Sequence, residues 1–410
     1  MNKLRLIELF AGYGSQAMAL KRAGIPFEHY KVIEFDKYAI KSYNAVHGTN
    51  FPPLDITEIT AQDLEIVDTD KYTYLMTYSF PCTDLSIAGK MQGMSKGSGT
   101  RSGLLWQVER ILNECSSLPQ YLLMENVTQV HGKKNKQDFD NWISFLESKG
   151  YTSKWQDLNA TDYGVAQSRK RCFMISYLNR GYNFNFPDPI PLKTCVKDYL
   201  EDKVEDKYYI NSQKAQDLID KLTKENIKGN QDKPVLVGGI GIKNFGSQYR
   251  QGNRVYSSEG VAMCLTAQPV GNTGGNSYLY LVNENKNNNK LIMVGQMESG
   301  KDRTFESINR VYSPYGSCPT INTCSGGDRQ PKIFDSESFK IRKLTPLECF
   351  RLMGVTDEDA YKMLAANSNS QCYKQAGNSI VVDVMTEIFK RLFIDQSDQL
   401  KGQMSIFDFI

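Results

Sequence analysis

The chain has 410 residues, which at roughly 150 residues per domain predicts two or three domains with a sizeable core and excludes a small disulfide-stapled scaffold. Hydrophobic residues at 40% and charged residues at 23% exclude a wholly disordered chain and a fibrous one. A net charge of +3 is too balanced to announce a polyanionic partner, so any nucleic-acid surface must be local.

The nine cysteines are odd in number and lack C-x-x-C pairs, which argues for reduced thiols. No apolar run approaches the roughly 18 residues of a membrane span, so the expectation is a soluble, cytoplasmic protein without membrane association.

In chain order, an apolar run from Leu4 to Phe10 ends in Ala11-Gly12-Tyr13-Gly14, and Gln16 to Ala23 then reads as a helix closed by Gly24. Further strands are predicted over Lys31 to Phe35, Tyr72 to Ser79, Tyr121 to Met124 and Arg171 to Tyr177, with helical stretches between several of them. This alternation predicts an α/β fold with a mostly parallel sheet covered on both faces. After Pro187, Pro189 and Pro191 a charged helical stretch reaches about Lys228, followed by Gly, Asn, Ser and Tyr with short β-like runs, which marks a second domain.

That second domain contains a weak repeat: Asn253-Arg254-Val255-Tyr256-Ser257 recurs 56 positions later as Asn309-Arg310-Val311-Tyr312-Ser313, with Gly239 and Gly260 matching Gly295 and Gly316. Two modules, about 235–282 and 291–333, are expected. Residues 241–333 carry ten Lys or Arg against six Asp or Glu, so the chain's basic surplus sits here. Helical character returns over Thr345 to Met353, and an apolar helix runs to about Phe393 after Gln375-Ala376-Gly377-Asn378-Ser379.

Gly12 and Gly14 at a strand end, with Ala17 completing G-x-G-x-x-A, permit a tight turn and close approach of backbone N–H groups to a ligand. Glu34, at the end of the next strand, can accept hydrogen bonds from two ribose hydroxyls. An ordinary strand-to-helix turn followed by a surface acid explains these residues equally well. Taken together they suggest an adenosine-containing cofactor, and a nicotinamide dinucleotide fits as well as any.

Cys82, in Phe80-Pro81-Cys82-Thr83-Asp84-Leu85-Ser86, follows a predicted strand on a proline-fixed turn and so faces the ligand crevice of such a sheet. Burial as a structural thiol is the commoner fate of a single cysteine. Met124-Glu125-Asn126-Val127 places a carboxylate at another strand end on the same edge, and Gln167-x-Arg169-x-Arg171 adds two guanidinium groups on one face of an extended segment. A thiol, an acid and paired arginines converge.

On these residues the chain resembles the DNA (cytosine-5)-methyltransferase family, of bacterial or phage type, from Leu4 to Val384. Phe10-Ala11-Gly12-Tyr13-Gly14 resembles the cofactor loop F-x-G-x-G, and Pro81-Cys82 the nucleophile motif. Glu125-Asn126-Val127 resembles E-N-V, and Gln167/Arg169/Arg171 resembles Q-x-R-x-R. The segment from Arg342 to Leu352 is similar to R-x-L-T-x-x-E-x-x-R-L, and Gln375-x-Gly377-Asn378-Ser379 to the closing G-N-S element. Thr83 departs from the family's usual glutamine after the cysteine, and Tyr13 to Gln16 depart from its glycine-rich continuation.

The resemblance implies a Rossmann-like, S-adenosylmethionine-dependent methyltransferase domain over 1–184 and 370–395, a smaller β-rich target-recognition domain over 185–369, and a flexible tail over 396–410. It implies transfer of a methyl group to C5 of a flipped cytosine in double-stranded DNA, through a covalent bond from Cys82 to C6, without a metal. Glu125, Arg169 and Arg171 would complete the catalytic set. Phe10, Gly12, Gly14, Glu34, Phe35, Asp55, Asn378 and Ser379 would hold the cofactor. Ser86, Lys90, Arg101, Gln167, Arg254 and Arg310 would contact DNA, although the repeat context of Arg254 and Arg310 suits a structural role equally. The stretch Gly89 to Gly103 would be a basic loop closing over DNA.

Gln403-Met404-Ser405-Ile406-Phe407 resembles peptides that dock on bacterial sliding clamps, against the alternative of a tail folding back on its own apolar surface. The enzyme is expected as a monomer. Rival readings are a nicotinamide oxidoreductase, which leaves Cys82 and Glu125 without a joint purpose, an inactive DNA-binding protein, and an RNA methyltransferase of the same architecture.

Overall fold

The computed structural model describes residues 2–82, 84–85, 93–178, 183–194, 196–208 and 344–395, together with eight strand segments between 236 and 343. The chain divides into two compact units, one of residues 1–159, 170–190 and 379–410 and one of residues 160–169 and 191–378.

The first unit is built on a six-stranded sheet in the order β2-β1-β3-β4-β7-β5. Its strands are β1 (Lys3–Leu9), β2 (Phe27–Ile33), β3 (Tyr72–Tyr78), β4 (Tyr121–Val127), β5 (Thr152–Asn159) and β7 (Lys170–Tyr177); β6 (Gln167–Ser168) belongs to the second unit. Leu6, Ile7 and Leu9 of β1, Leu75 and Met76 of β3, and Leu122 to Met124 of β4 are fully buried, as expected of strands covered on both faces.

Pairing is parallel from β2 through β1 and β3 to β4, whereas β7 runs antiparallel to both β4 and β5. The sheet is therefore mostly parallel: five strands run in one direction and β7 alone runs against them. Only residues 160–169 separate β5 from β7, too few for the crossover that a parallel pair requires. Strand β5 has no sequence signal of its own, because its Thr-Ser-Lys-Trp-Gln-Asp-Leu-Asn lies at the sheet edge and stays largely solvated.

Helix α1 (Ser15–Arg22) follows the glycine turn, α2 (Lys37–His47) is N-capped by the Asp36 side chain, and α3 (Ala61–Leu64) is short. Helices α4 (Leu105–Glu114) and α5 (Lys136–Ser148) bury Val108, Ile111, Phe139 and Trp142 against Met76, Tyr78 and Met124 on one face of the sheet. On the opposite face Tyr43 of α2 donates to the buried Glu8 carboxylate at 2.5 Å, and Phe393 packs 5.3 Å from the Tyr121 ring.

In the second unit, β8 (Leu236–Gly239) pairs antiparallel with β9 (Arg254–Ser257), and β9 pairs in parallel with β10 (Leu279–Leu281). The same pattern recurs in β11 (Met293–Gln296), β12 (Arg310–Tyr312) and β14 (Lys332–Asp335), with β15 (Lys340–Lys343) added at the edge. Each antiparallel pair shifts register at a glycine, Gly238 opposite Val255 and Gly295 opposite Val311. The equivalent of Gly295 is therefore Gly238, one residue before the glycine that the repeat alignment pairs with it. Strand β13 (Cys318–Pro319) runs parallel to β6, which ties residues 160–169 to this unit.

Helices α6 (Pro346–Arg351), α7 (Asp357–Ala366) and α8 (Asn369–Asn378) complete the second unit, and α9 (Val382–Phe393) belongs to the first. Thr345 and Glu348 form a capping box with Pro346 at the first helical position. Glu348 also accepts from the Glu201 amide at 2.8 Å, and Arg351 binds Asp357 at 2.6 Å and the carbonyls of Tyr199 and Leu200. The R-x-L-T-x-x-E-x-x-R-L segment is thus a structural joint. Among the described residues no helix is long and apolar enough to cross a membrane.

Candidate active site

The glycine turn after β1 is held in left-handed geometry, with φ of +59° at Phe10, +58° at Gly12 and +84° at Gly14. A Cβ on Gly14 would lie 2.3 Å from His47 Nε2, so this glycine is required by packing. A Cβ on Gly12 would meet nothing within 4 Å, so that position opens outward.

Glu34 fastens the turn from the side. Its Oε2 accepts the Gly12 N–H at 2.8 Å and its Oε1 accepts the Asp36 N–H at 2.7 Å, which fixes the carboxylate. Phe35 is 75% exposed, an unusual state for a phenylalanine and one suited to stacking on a planar ring. Asp55 accepts from the Thr57 amide and hydroxyl at 2.9 and 2.8 Å. Ser379 Oγ lies 2.5 Å from Ser15 Oγ at the start of α1. An open glycine, an oriented carboxylate and an exposed aromatic ring fit the ribose and base of an adenosine group.

Three residues beyond β3 begins the Pro81–Cys82 turn, which carries a partly buried thiol that is in no disulfide. The Asn126 side chain ties this turn to β4: its Nδ2 donates to the Phe80 carbonyl at 2.9 Å while its Oδ1 accepts the Val127 amide at 2.9 Å. The next residue back is Glu125, whose Oε1 lies 3.4 Å from Arg171 Nε, both side chains largely buried. A thiol and a carboxylate–guanidinium pair thus stand at the ends of adjacent strands β3 and β4, with β7 supplying the arginine.

The rest of Q-x-R-x-R does other work. Gln167 is fully buried and its Nε2 donates to the Leu352 carbonyl at 2.6 Å. Arg169, 4% exposed, donates to the Gly377 carbonyl at 3.0 Å, next to the exposed Asn378. Arg310 is 6% exposed, which suits the structural reading of the repeat arginines better than base reading. Arg101 is exposed, and its backbone amide donates to Asp84 Oδ2 at 2.8 Å.

Ser86, Lys90, the Arg254 side chain and the Gln403 to Phe407 segment lie outside the described residues. Of the expected loop from Gly89 to Gly103, the described part is held by Lys96 on Glu109 at 2.8 Å and by Trp106 Nε1 on the Met94 carbonyl at 2.6 Å.

One cluster lies outside the expected set. His131, Asp157 and Cys172 bring ligand-type atoms within 4.8 Å of one another. His131 Nε2 is committed to Asp157 at 2.9 Å, and burial together with the Asp157 and Glu125 carboxylates pushes the Cys172 thiol up, which holds it in its neutral form. Sequence reading also missed Asp84 and Ser102, which bond around the Cys82 turn; the one available signal was their place just before and near the end of the glycine-rich stretch.

The chain is 30% identical to the type II methyltransferase M2.ScrFI of Lactococcus lactis subsp. cremoris, over 96% of this chain and all of that protein. It is 31% identical to the type II methyltransferase M.HhaI of Haemophilus parahaemolyticus, over 94% of this chain and 93% of that one. The Entamoeba histolytica methyltransferase EhMeth superposes with a TM-score of 0.60 at 14% identity, covering 97% and 99% of the two chains, which shows the shared Rossmann-like fold. The C-5 cytosine-specific DNA methylase pattern matches residues 4–394, and the chain belongs to that family of DNA methyltransferases.

Proposed function

We propose that the protein transfers a methyl group from S-adenosylmethionine to C5 of a cytosine swung out of duplex DNA, with Cys82 as the covalent nucleophile. The observation that carries this is the Asn126 bond to Phe80, which fixes the thiol turn beside the strand end bearing Glu125 and its Arg171 partner.

Cytosine C5 is a poor nucleophile until the ring is activated. Cys82 thiolate adds to C6, forming the S–C6 bond and moving electron density to C5, which becomes able to take up a methyl group. Glu125, carrying a proton, donates to ring N3 and accepts from the exocyclic amine with its other oxygen, and Arg171 orients it. A water in the site takes the C5 proton, the C–H electron pair re-forms the C5–C6 double bond, and the S–C6 bond breaks as Cys82 leaves with its electron pair. Because the ring is shielded inside a duplex, the nucleotide must first be extruded, at a cost of a few kcal/mol.

S-adenosylmethionine supplies an electrophilic methyl group on a sulfonium. Phe10, Gly12 and Gly14 would hold its methionine part, Glu34 its ribose hydroxyls, and Phe35 and Asp55 its adenine, with Asn378 and Ser379 completing the pocket. Ser86, Lys90, Arg101 and Arg254 are assigned to DNA contact and the two strand modules to target reading, while Arg169 is assigned to holding the Gly377 carbonyl and Arg310 to a structural place in its own module. The segment Gln403 to Phe407 is assigned to sliding-clamp docking, which its deletion tests by pull-down.

Incubating the full chain with methyl-labelled S-adenosylmethionine and duplex DNA tests the reading. Label is expected on cytosine C5 with the wild type and not with Cys82→Ala, which keeps its affinity for DNA; label transfer by Cys82→Ala would refute it.

A further inference from the structure

We propose that Asp84 and Ser102 are positioning residues that set the Cys82 thiol for attack on the pyrimidine, a role that rests on the reading of Cys82 as nucleophile. The geometry is reciprocal. Ser102 is fully buried, and its hydroxyl has a single proton, which it donates to the Pro81 carbonyl at 2.7 Å. The same oxygen accepts the Asp84 amide at 3.3 Å. One hydroxyl therefore joins the backbone immediately before Cys82 to the backbone two residues after it.

Asp84 returns the contact. Its Oδ2 accepts the amides of Arg101 at 2.8 Å and Ser102 at 3.3 Å, while its carbonyl accepts the Gly93 amide at 3.0 Å. Asp84 is 7% exposed, so these bonds face little competition from water. The turn is also closed internally, from the Leu85 amide to the Cys82 carbonyl at 3.0 Å. On its far side it is held by Asn126 through Phe80. The backbone carrying the thiol is thus pinned at Phe80, Pro81, Cys82 and Asp84, and neither Asp84 nor Ser102 needs to touch a substrate to matter.

Such pinning bears on the reaction and not on the binding of DNA or cofactor, because attack on C6 demands a near-attack placement of the sulfur. A carboxylate serving as an acceptor for two amides acts through geometry, so an amide oxygen replaces much of it, whereas an alanine replaces none of it. The clasp therefore separates from general stability by the pattern of its substitutions.

The test measures single-turnover adduct formation by the full chain on 5-fluorocytosine duplex DNA with S-adenosylmethionine, beside the KM for DNA, the Kd for cofactor and the Tm. Ser102→Ala and Asp84→Ala are expected to slow adduct formation about 100-fold, the effect of a displacement of roughly 1 Å, with KM and Kd unchanged. Asp84→Asn is expected to restore most of the rate lost in Asp84→Ala. If Ser102→Ala does not fold, Ser102→Cys, which keeps the side chain's shape and weakens the donor, makes the same comparison.

A wild-type rate in the alanine variants, or losses that follow Tm and cofactor affinity without rescue by Asp84→Asn, would overturn the proposal. Absence of an adduct with the wild type would instead overturn the assignment of Cys82 on which it rests.

Discussion

Arg171 Nε stands 3.4 Å from Glu125 Oε1, across the antiparallel pair formed by β7 and β4, with the two side chains only 13% and 9% exposed. At this depth the pair behaves as a unit, because removing the guanidinium leaves a poorly solvated carboxylate behind. Arg171→Ala and Glu125→Gln are each expected to lower kcat sharply. The double variant should be no worse than the poorer single one, giving a coupling of about 1–3 kcal/mol in a double-mutant cycle. Additive losses would show that the two side chains act separately.

Gly12 and Gly14 should fail differently when given a methyl group. Gly14→Ala drives Cβ to 2.3 Å from His47 and into the Tyr43 ring, so it is expected to lower Tm strongly. Gly12→Ala meets open space and carries only the strain of φ +58°, about 1–2 kcal/mol. Its main effect should be weaker S-adenosylmethionine binding, read by calorimetry. Equal losses of Tm in the two variants would contradict this division.

Gln167→Ala tests whether this residue supports the fold or reads DNA. The side chain is fully buried with its amide on the Leu352 carbonyl, so the substitution orphans that acceptor at a cost of about 1–3 kcal/mol. A lowered urea midpoint with an unchanged KM for DNA is expected. A raised KM at constant stability would instead support the DNA-contact role.

Glu8 makes folding sensitive to pH on the acid to neutral side. Burial pushes its carboxyl up to about 8 from the ordinary 4.5, against the lowering effect of the Tyr43 hydroxyl and the Ala17 amide. Between those two values the folded protein holds a proton that the unfolded chain releases, so this group's contribution to stability falls as pH rises from about 4.5 to about 8 and is level above. Glu8→Gln removes the titration. The Tm of the variant relative to wild type should climb across that window, and a constant difference would refute the assignment.

The parts of this fold that were legible in sequence are those where one residue type has few alternatives. The glycine turn, the strands β1, β3 and β4, and Cys82 at a strand end were readable because buried parallel strands are continuous apolar runs and positive φ favours glycine. Strand β5 was not, since an edge strand with solvated side chains carries little periodicity. The roles within Q-x-R-x-R were also hidden, because spacing places Gln167, Arg169 and Arg171 on one face of a strand but says nothing of what each meets. Only the fold sends Gln167 to Leu352, Arg169 to Gly377 and Arg171 to Glu125. The clasp around Cys82 needs residues 84 and 102 to meet, a contact that no local pattern encodes.

The most direct test of the central claim is mass spectrometry of the protein after incubation with S-adenosylmethionine and duplex DNA bearing 5-fluorocytosine at target positions, where the fluorine blocks release. The account predicts a covalent protein–DNA species whose linked peptide contains Cys82, absent from Cys82→Ala. A species linked through any other residue, or one that persists in Cys82→Ala, would contradict it.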